Sequence, residues 1–265
     1  MKLNYQTYFD NVSESDAALS PVIIIPGLFG SIANWRGFAD KLSKHVKVVV
    51  VDQRNHGKSP HAPENSYFDL ASDIVELLDD LNIEKASICG HSMGGKTAMV
   101  LALVAPQRVD RLLVLDIAPV SYTHSHAPIL EGLSNVDLKN SKSRSDVERQ
   151  LSSAVPDKST RMFIMLSLGG KIGSYFWRLN VPALQKNLPL IGGFPINLLA
   201  DRKYLSKCVF IKGDLSNYVD SEYYDAIRGF FPSAEIQKVS GAGHWLHVDE
   251  PAAVLDLCLG FLQKE

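Results

Sequence analysis

Gly90-His91-Ser92-Met93-Gly94 is the stretch of this 265-residue sequence that decides the fold. An apolar run, Ala86 to Cys89, enters it, and a helix-forming run, Lys96 to Ala105, leaves it. A serine at such a sharp strand-to-helix turn is held in strained backbone, and the glycines on either side let strand and helix approach closely. The turn exposes the Ser92 hydroxyl, and free N–H groups at the start of the helix point at the same place. The pattern therefore indicates a nucleophile elbow and predicts hydrolysis by a nucleophilic serine.

The composition is that of a globular protein with one large core. The net charge is -2, and 46% of the residues are hydrophobic. No basic run, glycine-rich phosphate loop or RNA-type aromatic motif occurs, so neither a nucleotide nor a nucleic acid is an expected ligand. The first ten residues lack the pattern of a signal peptide, and no apolar span is long enough to cross a bilayer. The expected partner is a small molecule, and the oligomeric state stays open.

Three cysteines, Cys89, Cys208 and Cys258, lie inside apolar segments without metal-ligand spacing. Buried reduced thiols are expected rather than disulfides or metal ligands. Reduced cysteines of this kind favour a cytoplasmic location.

Short β-rich runs alternate with helical patterns along the chain, as in a parallel α/β sheet covered by helices on both faces. An antiparallel opening strand is predicted from Leu3 to Phe9. Ser66 starts a helix with a capping-box-like pair. The other predicted strands are Val22 to Ile25, Val46 to Asp52, Ala86 to Cys89, Arg111 to Asp116, Cys208 to Lys212 and Glu235 to Val239.

The alternation stops between about Val120 and Ala200, where helical patterns continue without a convincing strand. An unstructured loop of that length is improbable in a compact domain. We expect an all-helical insert, a lid over the edge of the sheet where ligands bind. The predicted organisation is a core of residues 1–119 and 201–265 with a helical cap of residues 120–200.

A serine nucleophile needs a base, and His244 is the best placed of the eight histidines. It follows the last predicted strand, in the flexible turn Gly241-Ala242-Gly243-His244-Trp245. His247 is the alternative, although a lone histidine is usually a satisfied core or surface residue. His91 adjoins the nucleophile but points elsewhere in an elbow.

The third residue must be a carboxylate that fixes the imidazole tautomer. The loop after the Cys208 to Lys212 strand is the commoner address, and it holds Asp214 and Asp220. The position two beyond Asp214, where such loops usually carry the aspartate, is Ser216. We therefore favour Asp116, whose apolar flanks leave the carboxylate poorly solvated and in need of a partner. The alternative role for Asp116 is an N-cap for the insert.

Two backbone N–H groups are expected to hold the oxyanion, those of Met93 and Leu28. Leu28 lies in Pro26-Gly27-Leu28-Phe29-Gly30, directly after the Val22 to Ile25 strand.

Four segments together resemble the YbfF-type branch of the α/β-hydrolase superfamily: Gly90 to Lys96, Asp52 to Ser59, Asp116 to Val120 and Gly241 to Trp245. The resemblance implies a mostly parallel α/β fold with a helical lid inserted after the sixth strand and with the acid after that strand. It also implies a serine carboxylesterase or thioesterase active on small acyl esters and acyl-CoA. The loop with Arg54, Asn55 and His56 is expected to brace the oxyanion loop.

The expected mechanism is two-step acyl transfer by Ser92, His244 and Asp116, without cofactor or metal. A C–C hydrolase, perhydrolase or lyase on the same three residues is an alternative, as is a receptor of the same fold that barely turns over. Basic side chains of the insert could meet the phosphates of coenzyme A, although a charge run is usually a solvated face: Lys139, Lys142, Arg144 and Arg149.

Overall fold

A seven-stranded sheet forms the centre of the computed structural model, which describes residues 1–9, 19–123 and 126–264. A separate two-stranded ribbon lies in the insert. The strands along the described chain are β1 (Tyr5–Tyr8), β2 (Val22–Ile25), β3 (Val48–Val51), β4 (Ala86–His91), β5 (Val109–Leu115), β6 (Leu168–Gly169), β7 (Phe176–Trp177), β8 (Cys208–Gly213) and β9 (Ala234–Val239).

The large sheet has the order β1-β3-β2-β4-β5-β8-β9. β1 is antiparallel to β3, and the other neighbouring strands are parallel. All residues of β2 and β3 are buried, as expected for parallel strands covered on both faces. The predicted α/β fold and its antiparallel opening strand are therefore confirmed, with strand ends that differ by a few residues.

The helices cover both faces of this sheet. Their bounds in the described chain are α1 (Ile32–Leu42), α2 (Tyr67–Asp80), α3 (Met93–Val104), α4 (Ala127–Asn135), α5 (Arg144–Leu151), α6 (Lys158–Met165), α7 (Val181–Lys186), α8 (Leu188–Gly192), α9 (Ile196–Leu199), α10 (Tyr224–Phe230), α11 (Leu246–Asp249) and α12 (Pro251–Leu262). Single 3₁₀ turns lie at Pro106–Arg108 and Ser221–Tyr223. No helix within the described ranges is long and apolar enough to cross a membrane.

Alternate side chains of each strand enter two apolar clusters, one on each face of the sheet. Ile23 and Ile25 pack with α2, α3 and α10, whereas Val22 and Ile24 pack with α1 and α12. The predicted capping box at the start of α2 is present, since the Ser66 hydroxyl accepts a hydrogen bond from the Asp69 N–H.

The segment between β5 and β8 contains six helices, α4 to α9, and the antiparallel ribbon of β6 and β7. The expectation of an all-helical insert is therefore wrong. The ribbon forms because Gly170 and Gly173 take left-handed backbone with φ of +82° and +79°, which reverses the chain within a few residues. The insert follows β5, the fifth strand of the described chain, rather than the expected sixth strand.

The insert packs on the core through one continuous apolar cluster. Leu130, Val147, Ile164 and Leu184 belong to the cluster that also holds the buried side chains of α2 and α3. A division into a separate core and cap stays a prediction.

Two glycines at the turn between β4 and α3 let the backbones of β2, β4 and α3 approach one another closely. A Cβ at Gly94 would lie 2.1 Å from the carbonyl oxygen of Ile25 in β2. A Cβ at Gly90 would lie 2.2 Å from the carbonyl oxygen of Gly94. The start of α3 can therefore reach the ends of β2 and β4 only because these positions lack side chains.

We predict that Gly94→Ala lowers the free energy of unfolding by about 1–3 kcal/mol, because the backbone of β2 must shift to accept the methyl group. Gly37→Ala is the matched control: nothing lies within 4 Å of its Cβ position in α1, and alanine should add up to about 1 kcal/mol there. Urea denaturation followed by circular dichroism measures both. Equal stability of Gly94→Ala and the native protein would contradict the packing described here.

Candidate active site

Ser92 lies at the junction of β4 and α3 in strained backbone. Its φ is +52° and its ψ is -120°, a conformation that a residue with a side chain rarely adopts. Its N–H donates to the carbonyl of Leu115 at the end of β5 (3.0 Å). The neighbouring strand end thus holds the turn that points the hydroxyl out of the sheet.

The structure brings Ser92, His244 and Asp116 together in one hydrogen-bonded row. His244 Nε2 lies 3.0 Å from Ser92 Oγ, and His244 Nδ1 lies 2.8 Å from Asp116 Oδ2. The carboxylate accepts a hydrogen bond from the Nδ1–H group, which leaves Nε2 free to accept the serine proton. Asp116 is fully buried, while 22% of the His244 side chain is exposed. The arrangement can move a proton from the serine to the imidazole.

The Asp116 carboxylate is held by donors from the loop after β8. The N–H of Gly213 donates to Oδ1 (3.1 Å), and the Ser216 hydroxyl donates to Oδ2. These donors satisfy hydrogen-bonding capacity of the buried carboxylate that His244 leaves free. In the sequence, Ser216 served only to show that the loop after β8 lacks the usual aspartate. The hydrogen bond from its hydroxyl to Asp116, at the end of β5, was not foreseen.

The alternative acids contact other groups. The Asp214 carboxylate accepts hydrogen bonds from the Gly241 N–H (2.8 Å) and the Ser240 hydroxyl (3.2 Å). Asp220 lies 3.5 Å from Lys212 Nζ. The first helix of the insert, α4, has His126 at its N-cap position, so Asp116 does not serve as a cap there.

Two further histidines pack behind His244. His91 Nε2 donates to the carbonyl of His244 (2.8 Å) and so helps to fix the loop that carries it. His247 is buried and stacks on Trp35 with ring centroids 3.9 Å apart, and neither of its nitrogens has a hydrogen-bond partner among the described residues. Burial lowers the pKa of His247 to about 3. His247 is therefore a neutral core residue, whereas His244 reaches the serine.

A tyrosine that sequence reasoning missed covers the His244 ring. Tyr218 stacks on His244 with centroids 4.0 Å apart and an angle of 21° between the rings. Tyr122 Oη donates to the Tyr218 carbonyl (2.5 Å) and accepts from the Ala118 N–H (2.8 Å). Tyr218 lies in the loop inspected for carboxylates, and nothing in the sequence pattern marks it for this role.

The predicted oxyanion loop lies against the nucleophile. A Cβ at Gly27 would lie 3.0 Å from Ser92 Cβ, and Leu28 and Met93 line the same cavity as Ser92. Met93 is the first residue of α3, so its N–H has no acceptor within the helix. The two backbone groups can therefore face an oxygen bound at Ser92.

The loop after β3 contacts the oxyanion loop. Gln53 Nε2 donates to the Pro26 carbonyl (2.7 Å). Arg54 instead pairs with Asp73 of α2 (2.7 Å), and the Asn55 Oδ1 accepts from Asn180 Nδ2 of the insert (2.9 Å). The loop that holds Arg54, Asn55 and His56 thus contacts the oxyanion loop through Gln53.

The cavity beside Ser92 is small, with about 30 Å³ of free space. Core residues line most of it, and Ile191 and Gly192 of the insert close it. Lys96, which also lines it, is buried and donates through Nζ to the carbonyls of Gly192 (2.8 Å) and Gly193 (2.7 Å). Burial lowers the pKa of Lys96 to about 7. Sequence reasoning quoted Lys96 within the elbow but assigned it no role.

The basic residues of the insert do not line this cavity. Arg144 donates to the carbonyls of Leu168 (3.0 Å) and Met165 (2.6 Å), and Arg149 pairs with Asp146. Lys139 and Lys142 are exposed. Arg144 and Arg149 therefore bond to other residues of the insert, and Lys139 and Lys142 face solvent.

Comparison with known proteins adds an independent observation. The sequence pattern of the alpha/beta hydrolase fold family matches residues 20–251. The chain is 38% identical to an sn-1-specific diacylglycerol lipase ABHD11 of Danio rerio, over 96% of this chain and 81% of that relative. It is 35% identical to the esterase YbfF of Escherichia coli K12, over 96% of both chains. A solved marine microorganism esterase superposes with a TM-score of 0.91 at 34% identity, covering 98% of this chain and 99% of that one.

We predict that buried His247 makes the protein less stable as the pH falls below about 6.5. The unfolded chain protonates this histidine near pH 6.5, whereas the folded protein keeps it neutral to about pH 3. Between these values the unfolded state binds the additional proton, so stability declines by about 1.4 kcal/mol per pH unit from this residue.

His247→Phe, which keeps a ring on Trp35, should reduce that slope, and His61→Gln at an exposed position should not. Urea denaturation at several pH values between 7 and 4 gives the slopes. An unchanged slope in His247→Phe would show that this histidine does not take up a proton on unfolding.

Proposed function

The chain belongs to the alpha/beta hydrolase fold family, and we propose that it is a serine carboxylesterase or thioesterase that acts through an acyl-enzyme intermediate. Its esterase and lipase relatives support the hydrolysis of esters in general. The observation that carries the finer proposal is the hydrogen-bonded row of Ser92, His244 and Asp116.

In the first step, His244 Nε2 takes the proton of Ser92 as the serine oxygen attacks the acyl carbonyl. The separation of 3.0 Å between these atoms lies within the range for general-base catalysis. Asp116 keeps the second proton on Nδ1 and stabilises the imidazolium that forms. Gly213 and Ser216 donate hydrogen bonds that hold this carboxylate in place.

The carbonyl oxygen becomes negatively charged as the serine adds to it. The N–H groups of Leu28 and Met93 stabilise this charge, since both residues border the space beside Ser92. His244 then returns its proton to the departing alcohol or thiol, and a water molecule activated by the same imidazole releases the acid. Every step uses groups of the chain and water.

The acyl group would occupy the cavity beside Ser92. This cavity of about 30 Å³ shares Tyr122, His126 and Gly192 with a neighbouring cavity of about 420 Å³, so its volume alone does not set the length of the acyl chain. We propose that the insert acts as a lid, because Ile191 and Gly192 contribute to the cavity wall. The leaving group, an alcohol or a thiol such as coenzyme A, would depart on the open side.

A cytoplasmic location is part of the same proposal. Cys89, Cys208 and Cys258 are free and buried, which agrees with a reducing compartment.

Ser92→Ala is expected to abolish both the hydrolysis of activated esters and labelling by a fluorophosphonate probe, because both need the serine oxygen. Ser233→Ala, at an exposed serine, is the matched control and should keep both. Thermal melting should show that both variants are folded. Persistent labelling of Ser92→Ala would identify another nucleophile. Only trace turnover of the native protein across a broad ester panel would favour a receptor instead.

Asp116→Asn should lower kcat on the order of 10⁴-fold, because an amide at this position favours the wrong tautomer of His244. Asp214→Asn is the matched control, since its carboxylate contacts Gly241 and Ser240 rather than the imidazole. It should retain most of the activity. Steady-state kinetics on one ester, with thermal melting as the check of folding, compares the two. Near-normal turnover in Asp116→Asn would contradict the assigned acid.

A further inference from the structure

The insert differs in charge from the rest of the chain. Residues 120–200 contain nine lysines and arginines and five aspartates and glutamates, which gives a net charge of +4. The whole chain has a net charge of -2, so the remaining residues carry -6. Between residues 158 and 200 the sequence has no aspartate or glutamate but five basic residues: Lys158, Arg161, Lys171, Arg178 and Lys186. Such an asymmetry indicates a negatively charged partner surface.

The same basic segment exposes large apolar side chains. The exposed fractions are 55% for Met162, 67% for Ile172 and 49% for Phe176, and Leu166 is also exposed. Met162 lies in α6, Leu166 directly follows this helix, Phe176 lies in β7 and Ile172 lies in the turn between β6 and β7. We call these four residues the insert patch. Exposed apolar residues that occur singly need no explanation, whereas grouped ones usually mark an interaction site.

The insert patch is continuous, because neighbouring members share cavities or contacts. Met162 and Leu166 lie one helical turn apart and line one cavity. Leu166 and Arg178 line a second cavity, at the border with the core. The Arg178 guanidinium in turn lies 5.5 Å from the centre of the Phe176 ring. Ile172 belongs to the turn of the same ribbon.

Basic side chains border the patch without a carboxylate partner. Arg178 shares its cavity with Arg36 and Lys58 of the core. Lys171, next to Ile172, is exposed. None of these four cations forms an ion pair in the part of the chain that the structure describes.

The carboxylates near the patch are engaged within the chain. Glu148, which lines a cavity with members of the patch, pairs with Arg161 (2.7 Å). Asp157 caps the start of α6. Asp52 lines the cavity at the border with the core and accepts hydrogen bonds from three neighbouring N–H groups. The unpaired cations therefore remain available to an outside partner.

We propose that the insert patch binds the surface of an anionic lipid bilayer. The apolar side chains enter the boundary between headgroups and acyl chains, while the surrounding cations meet the negative charges of the headgroups. A fluid bilayer accommodates side chains from a helix and a ribbon turn at once, whereas a folded partner needs a surface of matching shape. This difference favours a bilayer over an acidic protein.

Helix α6 links the insert patch to the active site. Phe163, the residue after Met162, stacks on Trp245 with ring centroids 5.1 Å apart. Trp245 follows His244 in the chain. The inference goes beyond the proposed function and does not depend on it, since the patch contains no member of the row of Ser92, His244 and Asp116.

Co-sedimentation with vesicles tests the inference. The vesicles consist of diether phosphatidylcholine, alone or with an equal part of diether phosphatidylserine, because ether-linked lipids contain no carboxylic ester that the protein could cleave. The native protein should bind the anionic vesicles at least about tenfold more strongly than the neutral ones, and added salt should weaken the binding by screening the charges. Equal binding to both vesicles would overturn the inference. Binding to neither would overturn it as well and would favour an acidic protein partner.

Two variants test the cations. Lys171→Glu and Arg178→Glu should each weaken binding to the anionic vesicles at least about 5-fold, the contribution of one cation near such a surface. Lys44→Glu, at an exposed lysine of the core, is the matched control and should bind more strongly than either variant. Equal binding by all three variants would show that only the net charge of the protein matters, and this would contradict a defined patch.

Two further variants test the apolar side chains. Met162→Ser and Ile172→Ser should weaken binding to the anionic vesicles without changing the net charge, because less apolar surface enters the bilayer. Leu215→Ser, at a leucine that is 75% exposed in the loop after β8, is the matched control and should bind like the native protein. Thermal melting should show that all variants are folded. Native binding by both patch variants would contradict the insertion of these side chains.

A second copy of the chain is the alternative occupant, because the negative core complements the positive insert. Analytical ultracentrifugation without lipid distinguishes the two. The native protein and Ile172→Ser should have the same mass. A larger assembly of the native protein that dissociates in Ile172→Ser would assign the patch to self-association and overturn the inference.

Discussion

The close approach of β2, β4 and α3 around Ser92 is the constraint on which the rest of the structure depends. Gly90 and Gly94 occupy positions where a Cβ would come within 2.2 Å of a backbone atom of a neighbouring element. The contact holds Ser92 at a positive φ and points its hydroxyl toward the loops at the carboxyl ends of the strands. Backbone strain of this kind persists only where surrounding packing enforces it, and here the buried sheet and α3 do so.

Parallel pairing then gathers the other candidate groups at the same edge. β5 lies between β4 and β8, so Asp116 emerges beside the elbow on one side and beside Gly213 on the other. The donors from the β8 loop satisfy the fully buried carboxylate beside His244. Burial lowers the pKa values of His91 and His247, so these two histidines stay neutral.

The insert completes the site by contacts that reach back to the core. Lys96 and Tyr67 bind backbone carbonyls of residues 191–193, and Asn55 binds Asn180. These bonds fix the wall of the cavity beside Ser92, so the insert and the core together set the room for a substrate. Lys96 stands out because it is buried beside Ser92 without a carboxylate partner among the described residues, and burial lowers its pKa to about 7.

The sequence by itself determined the alternation of strands and helices and the elbow at Ser92, because these depend on local periodicity and glycine placement. It favoured Asp116 over Asp214 because Ser216 stands where the loop usually carries the aspartate. Their catalytic roles remain proposals. Only the tertiary structure decided the contacts between residues at different strand ends. The Ser216 hydroxyl donates to Asp116, the Tyr218 ring stacks on His244, and Lys96 donates to the Gly192 carbonyl of the insert. Such contacts join residues far apart in the chain, and they follow from strand order and the packing of the insert, which no local pattern in the sequence encodes.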